Sequence, residues 1–539
     1  MMKMPKLNRI LALGMSGLLL TSPVHAENRE PAAARTKRKS STSSSNVPSS
    51  VARVDSELAS ALQLAKTGRY KEASMKLFQL SVSPRFRDKR MQIKYILGLM
   101  LYQMKLNQVA AFQFISVVKD GNNKFLKQSL EKLSLAADAL GDDTLLNYAI
   151  SRVQVDEFPR AHRDMLYYRI GEFQSRNGQF DQAAKSYSRV QRTSPFFPQA
   201  KYLEGLSYAE LQSPGNAIVA FEDLINSRNE AGITDPSRVA GLMGKARSLY
   251  QKKEWDGAIE TYREVPRDTP FWHDTLFESS WAMLRSGRFR SALSNFQSLH
   301  SAFYEDFYLP ESLLLRSIVY LYICKYDEME KVLNLFNRIY RPVYKSIEKT
   351  LNGGSGDSAA LFNEAVKVMR DYKVQGDEMK KDGYKLPFLV VRKMAREGDF
   401  QSSYNYIRKL LEEKKRLDRL PAEWRSSAIG RYAKKVITTR LQKARKQAGQ
   451  QIKAHLEAIR EELFDLFEQE GFIRYEMING RKESLKKRIA GKDMAENQID
   501  EKLDREYSVQ NGYEYWPFRG EYWLDELGNY HYVGTQSCE

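Results

Sequence analysis

Small and aromatic residues recur along the middle of the chain, from Tyr167 to Asn337, at a nearly constant spacing. A small residue, an alanine and a large aromatic residue return in register after 34 residues, at Gly171, Ala183 and Tyr187 and then at Gly205, Ala217 and Phe221. After a short insertion, two further units follow at the same spacing, with Trp255, Ala258 and Tyr262 and then Phe289, Ala292 and Phe296. A fixed period of this length predicts helix pairs that stack into a solenoid.

The residue types explain the period. A small residue lets the first helix of each unit, helix A, approach its neighbour, and the alanine lets helix B cross closely over helix A. The large residue four positions later fills the space between units. Weaker copies of the pattern extend it to Gly68 and Tyr70 on one side and to Gly398 and Phe400 on the other. We therefore expect about eight or nine helical hairpins between residues 55 and 420.

This spacing, with Gly178 before helix B and Pro195 at the end of the unit, resembles the tetratricopeptide repeat (TPR). The resemblance implies an all-α, right-handed superhelix acting as a non-catalytic, protein-binding scaffold. Its concave face, formed by helix A, would bind a peptide in a basic, aromatic groove. Projected from the register, the groove residues are Tyr168, Arg176, Tyr202, Arg247, Tyr250, Phe277, Trp281 and Arg285. The alternative for any one of them is packing between helices.

Beyond Pro421 the 34-residue pattern stops and a long helical segment, residues 421–510, is predicted. Apolar residues alternate at steps of four and three, with Glu470 in the one polar position, and they form a heptad seam at Ile452, Leu456, Ile459, Leu463, Leu466, Ile473 and Met477. A helix of this length either pairs with a partner helix in a coiled coil or lies back along the solenoid.

The last segment, residues 511–539, is crowded with aromatic residues, and Gly528-Asn529 predicts a turn between two short strands. The run from Tyr515 to Gly528 resembles the C-terminal signature of TPR proteins linked to envelope machinery and adventurous gliding motility in deltaproteobacteria. That resemblance implies a periplasmic scaffold within a complex of the cell envelope.

The N-terminus has the pattern of a secretory signal peptide. Lys3, Lys6 and Arg9 precede an apolar run, and Val24-His25-Ala26 matches a cleavage site. We therefore predict a signal peptide over residues 1–26, a periplasmic location for the mature chain, and a disordered basic leader rich in Ser and Ala over residues 27–54. An uncleaved N-terminal anchor is the alternative.

Charge indicates a second type of partner. The formal net charge of the chain is +18, and residues 408–446 hold fourteen Lys and Arg against four acids. This basic segment is either a solvated helix face or a binding surface for an anionic envelope polymer, a lipid surface or an acidic protein. Nucleic acid is not expected as a partner of an exported chain. The acidic residues after Tyr513 also suggest that the aromatic cap folds back on the basic segment.

The sequence offers little for catalysis, and no cofactor is expected. No pair of histidines has metal-ligand spacing, and no Cys-x-x-Cys accompanies them, so no metal site is predicted. The rival function is a peptidoglycan-active enzyme resembling lytic transglycosylases, because Glu311-Ser312 matches their catalytic Glu-Ser pair. The Gly-Leu-Met-Gln motif that follows the pair in that family is absent: Gly241-Leu242-Met243-Gly244 lies upstream and lacks the Gln. Glu311 is instead expected as an exposed acid on helix A.

The chain has two cysteines, Cys324 and Cys538. In an oxidising compartment they could pair with each other or between chains, and the spacing alone does not decide between these outcomes.

Overall fold

The computed structural model describes residues 49–121, 124–141, 163–353, 358–376, 379–381, 383–489, 522–523 and 527–530. These residues form twenty α-helices and three short 3₁₀ turns, with no β-strand among them, which confirms the all-α class. The predicted signal peptide, most of the leader and most of the aromatic cap lie outside the described residues. Among the helices of the described part, none is both long and apolar enough to cross a membrane.

The chain forms two compact units. The N-terminal unit comprises Leu19–Phe197 and Gln401–Lys446, and the central unit comprises Pro198–Phe400 and the residues from Gln447 onward. The described residues of the first stretch of the N-terminal unit form seven helices: α1 (Ser49–Lys66), α2 (Tyr70–Val82), α3 (Arg90–Gln103), α4 (Asn107–Lys119), α5 (Leu126–Leu140), α6 (Arg163–Arg176) and α7 (Phe180–Tyr187).

The repeats of the central unit run from α8 to α15. These helices are α8 (Phe197–Glu210), α9 (Pro214–Ser227), α10 (Pro236–Gln251), α11 (Trp255–Arg263), α12 (Trp272–Arg285), α13 (Phe289–Leu299), α14 (Pro310–Tyr322) and α15 (Tyr326–Asn352). The remaining helices are α16 (Ser358–Gln375), α17 (Phe388–Arg396), α18 (Gly398–Asp418), α19 (Ala422–Ser426) and α20 (Ala428–Ile489). Both α18 and α20 contribute residues to each unit.

Close contact between a glycine and an aromatic ring joins the two helices of a repeat. A Cβ added to Gly205 on α8 would lie 2.6 Å from the ring of Phe221 on α9. On its other side, the same ring would be 2.5 Å from a Cβ added to Gly244 on α10. The N-terminal unit repeats this contact at Gly98 with Phe114 and at Gly171 with Tyr187, always sixteen residues apart. The sequence period therefore records a packing requirement: no side chain fits where the ring lies.

The leader ends earlier than predicted, because α1 begins at Ser49 rather than after residue 54. The sequence explains the difference: Pro48 cannot lie inside a helix, and no glycine or proline interrupts Ser49–Lys66.

The second stretch of the N-terminal unit, Gln401–Lys446, packs against its repeats. Leu417, Trp424 and Ile437 are buried in one apolar cluster with the residues of α1 to α5. The indole N–H of Trp424 donates to the Ser74 hydroxyl over 2.9 Å. The apolar side of the basic segment is therefore part of the core of this unit.

Glu413, on α18, caps the N-terminus of α4. Its carboxylate accepts hydrogen bonds from the backbone N–H groups of Gln108 at 2.9 Å and Val109 at 3.4 Å. The first N–H groups of a helix have no partner within the helix, and a carboxylate there also compensates the helix dipole. Burial nevertheless raises the pKa of the Glu413 carboxyl to about 7, against the lowering effect of these N–H groups.

Within the central unit, the predicted heptad seam of α20 packs on the unit's own helices. Leu456, Leu463 and Leu466 are buried. The rings of Phe336 on α15 and Phe467 on α20 are 5.2 Å apart. Glu470, in the polar position of the seam, accepts a hydrogen bond from the Asn337 amide at 3.0 Å. Of the two alternatives for this helix, the seam lies back on the chain.

The described residues of the aromatic cap lie against the repeats of the central unit. Gly528 N–H donates to Ser298 Oγ over 2.6 Å, and Leu527 beside it is buried. Tyr522 OH accepts from the Gln297 amide at 3.1 Å. These contacts differ from the predicted fold-back on the basic segment: Gly528 lies against Trp272 and Leu276 of α12 and bonds Ser298 of α13. Cys324 is disulfide-bonded, whereas Cys538 lies outside the described residues.

Candidate partner-binding surface

Three of the eight predicted groove residues lie on one helix, α12. Phe277, Trp281 and Arg285 are each four residues apart, so they share one face of this helix. Phe277 and Trp281 are half-buried and Arg285 is exposed. These three residues, which we call the α12 row, present two partly accessible aromatic rings beside one accessible cation. Their role in binding remains a prediction.

Arg247 was predicted to contribute an accessible positive charge to the groove, but its charge is compensated inside the protein. Its guanidinium makes two parallel hydrogen bonds to the carboxylate of Glu278 on α12, at 2.6 and 2.8 Å, and only 11% of its side chain is exposed. The Tyr262 hydroxyl also donates to Glu278 at 2.9 Å. The negative charge of Glu278 raises the pKa of Arg247 despite its burial. The pair joins α10 to α12 and leaves little positive charge for a ligand.

Tyr168 and Tyr202 pack between helices rather than line an accessible face. Tyr168 is 8% exposed, donates to Glu172 at 3.1 Å and stacks on Phe196. Tyr202 is 5% exposed and lies 5.9 Å from the ring of Phe221. Burial raises the pKa of both phenols. The binding role predicted for these two tyrosines is corrected to a packing role, because the neighbouring helices cover their rings.

The other two predicted groove residues have different surroundings. Tyr250, at the end of α10, is half-buried and makes an edge contact with Trp255, with ring centroids 4.8 Å apart. Arg176 is exposed at the end of α6, in the N-terminal unit. Of the eight predicted positions, the α12 row is the set that lies on one helix face and stays accessible.

The chain itself contacts the beginning of this face through α17. Arg396 donates to Asp274, one turn before the α12 row, and to the Pro270 carbonyl, both over 3.1 Å. Together with His273, Arg396 holds the pKa of the Asp274 carboxyl below its usual value against the effect of burial. No pattern in the sequence indicates this contact, which joins residues more than 120 positions apart.

One cluster in the central unit has metal-ligating residue types. His455 lies between Glu397 and Asp399, with Nδ1 3.0 Å and Nε2 2.8 Å from their carboxylates. Hydrogen bonds to Asp399 and Glu397 raise the pKa of His455 to about 10. Each ring nitrogen lies within hydrogen-bond distance of a carboxylate, which is the geometry of an ion-paired triad. Its members are too distant in sequence for any local motif to reveal them.

Glu311, the candidate acid of the rival enzyme function, is in the first turn of α14. It is half-buried, whereas the sequence suggested an exposed acid. Burial raises the pKa of its carboxyl to about 7, and the charge of Glu462 on α20 adds to the rise. Glu462 itself lies 3.1 Å from Lys393. The sequence pattern does not reveal that α20 brings the Glu462 carboxylate close enough to affect the titration of Glu311.

The basic segment retains an exposed cationic surface in the N-terminal unit. Lys434, Lys435 and Lys443 on α20 are exposed, while Ile437 between them is buried. Arg440 covers the ring of Phe112 at 4.9 Å. The segment is thus amphipathic: its apolar side completes a core and its charged side faces solvent.

Comparison with known proteins identifies the repeat. The family model described as tetratricopeptide repeat matches residues 168–232. That stretch contains the two glycine–aromatic contacts of Gly171 with Tyr187 and Gly205 with Phe221. A search of curated proteins finds no match.

Solved structures of TPR proteins are similar at low identity. A TPR protein from Parabacteroides merdae is 14% identical over 53% of this chain and 92% of its own, with a TM-score of 0.24. A Rap protein complexed with Competence and Sporulation Factor is 12% identical over 74% of this chain and 99% of its own, at 0.24. The TPR2AB domain of yeast Sti1 in complex with pHSP90 is 15% identical over 44% of this chain and 99% of its own, with a TM-score of 0.21. At these TM-scores no functional argument follows. The gliding-motility resemblance finds no support among these matches. The family match places tetratricopeptide repeats at residues 168–232, and the described part of the chain is all-α.

Proposed function

We propose that the chain is an exported, non-catalytic scaffold that binds protein partners through the α12 row. The observation that carries the proposal is the accessible face formed by Phe277, Trp281 and Arg285 on helix A of a repeat unit. Stacked helix pairs present helix A side by side, and this arrangement creates the extended surfaces through which repeat proteins bind.

The chemistry of the row selects the type of ligand. Trp and Arg are the residues that most often dominate binding energy at interfaces, because they combine large apolar area with directed polar contacts. Arg285 has an accessible positive charge, whereas the charge of Arg247 is compensated by Glu278. The favoured ligand is therefore an extended peptide segment with one or two acidic residues and an aromatic or aliphatic anchor.

A displayed random-peptide library, selected on the full-length protein, tests the proposal. We expect enrichment of acidic sequences that contain an aromatic residue, and loss of their binding in the variant W281A/R285A. The matched control is Arg290→Ala, which removes an exposed arginine from α13 and should leave binding unchanged. Equal binding of the selected peptides to all three proteins would show that the α12 row is not the site.

We further propose that the scaffold acts in the periplasm, within an envelope or motility complex. The signal-peptide pattern of residues 1–26 supports export. The disulfide at Cys324 supports it independently, because disulfides persist mainly in oxidising compartments. Mass spectrometry of the mature N-terminus from a periplasmic extract tests the export step, and we expect cleavage after Ala26. Cross-linking in intact cells, followed by identification of the captured proteins, tests membership of an envelope complex.

The basic segment is proposed as a second site, for an anionic polymer or lipid surface. Its exposed lysines lie on a rigid helix whose other side is buried, so the charges are held together rather than dispersed.

The alternative is a peptidoglycan-active enzyme. One observation favours it: the pKa of about 7 at Glu311 would let this carboxyl donate a proton near neutral pH. Release of soluble muropeptides from purified peptidoglycan by the wild-type protein, and its loss in Glu311→Gln, would support catalysis. No release by the wild-type protein would leave the raised pKa as a consequence of packing against α20.

A further inference from the structure

The C-terminal part of α20 exposes an unusual concentration of apolar side chains. Of the fourteen large hydrophobic residues that are exposed in the described part of the chain, six lie between residues 464 and 489 of this one helix. They are Phe464, Phe472, Tyr475, Ile478, Leu485 and Ile489, and each has more than half of its surface exposed. Contiguous exposed apolar residues of this kind mark an interaction surface.

Most of these residues belong to a second heptad seam, distinct from the buried one. Alternating steps of four and three residues connect Phe464, Glu468, Gly471, Tyr475, Ile478, Lys482, Leu485 and Ile489, all of them exposed. We call this set the exposed seam. The buried seam at Leu463, Leu466 and Met477 occupies a different face of the helix. An α-helix that has already packed one seam on its own chain therefore presents a second, about 38 Å long at 1.5 Å per residue.

We propose that the exposed seam pairs, antiparallel, with the same seam of a second copy of this chain. A twofold axis between Tyr475 and Ile478 brings Tyr475 against the partner's Ile478 and Phe464 against the partner's Ile489. In this register every residue of the exposed seam faces a residue of the same seam in the second copy, since antiparallel coiled coils pair alternate heptad positions. Such an interface is self-complementary, as twofold symmetry requires.

The charges favour this occupant and this orientation. The beginning of the seam is acidic, with Glu468 in it and Asp465 beside it, and its end is basic, with Lys482 and Lys486. An antiparallel pair places Glu468 between the partner's Lys482 and the partner's Lys486, and Asp465 against that same Lys486. A parallel pair would place like charges together at both ends. Lys486 does bond Glu483 at 2.7 Å, but both side chains are about 60% exposed, and such a surface pair is easily exchanged.

Small and polar positions fit the same register. Gly471, where an added Cβ would meet no other atom within 4 Å, faces the partner's Lys482 and leaves room for its aliphatic stem. The acidic half of the seam makes an anionic membrane a poorer fit, because Asp465 and Glu468 would be repelled from it.

Sedimentation equilibrium of the full-length protein tests the proposal. We expect a species of twice the chain mass of 62.3 kDa at micromolar concentration. The variant Y475K/I478K replaces the central contact and should weaken the dimer by roughly 100-fold or more, as loss of a central apolar anchor pair does. The control Val219→Lys alters an equally exposed apolar residue on α9 and should leave the mass unchanged. Circular dichroism confirms that the variants retain their helix.

Charge exchange distinguishes the orientation. Asp465→Lys and Lys486→Asp should each weaken the dimer, and the combined variant D465K/K486D should restore it. A monomeric wild-type protein, or a dimer insensitive to Y475K/I478K, would overturn the proposal. Failure of the combined variant to restore a dimer that each single variant weakens would overturn the antiparallel register. None of these outcomes depends on peptide binding at the α12 row.

Discussion

A single methyl group added at Gly205 should destabilise the repeats, although alanine is the better helix former. The Cβ of Gly205→Ala would lie 2.6 Å from the Phe221 ring, well inside van der Waals contact. The ring has little room to move away, because the backbone of Gly244 on α10 also lies close against it and only 1% of the surface of Phe221 is exposed. The helices must therefore separate.

The magnitude follows from two opposed effects. Overpacking a rigid core costs about 1–3 kcal/mol, and the trapped ring puts this site toward the upper end. Replacing glycine by alanine inside a helix returns about 0.8–1 kcal/mol. With the overpacking cost taken at about 2–3 kcal/mol, the upper part of its range, we expect a net loss of about 1–2 kcal/mol in the free energy of unfolding.

Gly215→Ala is the matched control. Gly215 lies on α9 of the same repeat, has no other atom within 4 Å of the added Cβ, and should gain about 0.4–1 kcal/mol from the reduced freedom of the unfolded chain. Urea unfolding followed by circular dichroism measures both variants. Hydrogen exchange then shows whether the loss is centred on α8 and α9, since a repeat array need not unfold in one step.

A compensating substitution completes the test. The change Phe221→Leu removes the ring, so in G205A/F221L the two losses should be less than additive by about 1 kcal/mol or more, as expected for residues in contact. If Gly205→Ala is as stable as Gly215→Ala, the glycine–aromatic contact is not what fixes the spacing of the helices.

Three further predictions concern titrating and charged groups. The pKa of His455 in the folded protein is raised to about 10, so its contribution to the free energy of unfolding is complete below about pH 6.5 and is lost as the pH rises toward 10. The urea midpoint of the wild type should therefore exceed that of His455→Gln at pH 6 but not near pH 10. A difference that stays constant with pH would contradict the ion-paired triad. Burial raises the pKa of Glu413 to about 7, so the wild type should lose stability relative to Glu413→Gln as the pH rises from about 4.5 to 7, by at most about 3 kcal/mol. The same difference in urea midpoint between the two proteins at pH 5 and at pH 8 would refute this. The variant K434E/K435E should bind anionic liposomes less well than the wild type at low salt, by roughly fivefold per charge, and the difference should vanish near 1 M salt; equal cosedimentation at low salt would remove the proposed role of residues 408–446.

The repeat architecture was predictable because its determinants are local. A glycine and an aromatic residue sixteen positions apart, such as Gly171 and Tyr187, must meet once both helices form, and the sequence shows the pair directly. The polar position of Glu470 in the first heptad seam was visible in the same way. What the seam packs against was not, because a heptad pattern is equally compatible with a partner helix and with the chain's own repeats.

The candidate site was only partly predictable, because accessibility depends on contacts between distant residues. The register placed Tyr202 and Arg247 on helix A correctly, but it could not show that the neighbouring helices bury the ring or that Glu278 compensates the guanidinium. The cap that Glu413 provides for α4 joins residues 305 positions apart. No period or motif encodes such pairs, and only the folded chain reveals them.

The affinity of a library-selected peptide for wild type and for W281A/R285A, measured by calorimetry beside the unfolding midpoint of each protein, tests the scaffold function most directly. We expect the double variant to bind about 5–150-fold more weakly, equivalent to roughly 1–3 kcal/mol, while its unfolding midpoint stays close to that of the wild type. The control Arg290→Ala should bind as the wild type does. Unchanged affinity in the double variant, or a loss of binding that merely follows a loss of folded protein, would contradict a partner-binding surface on α12.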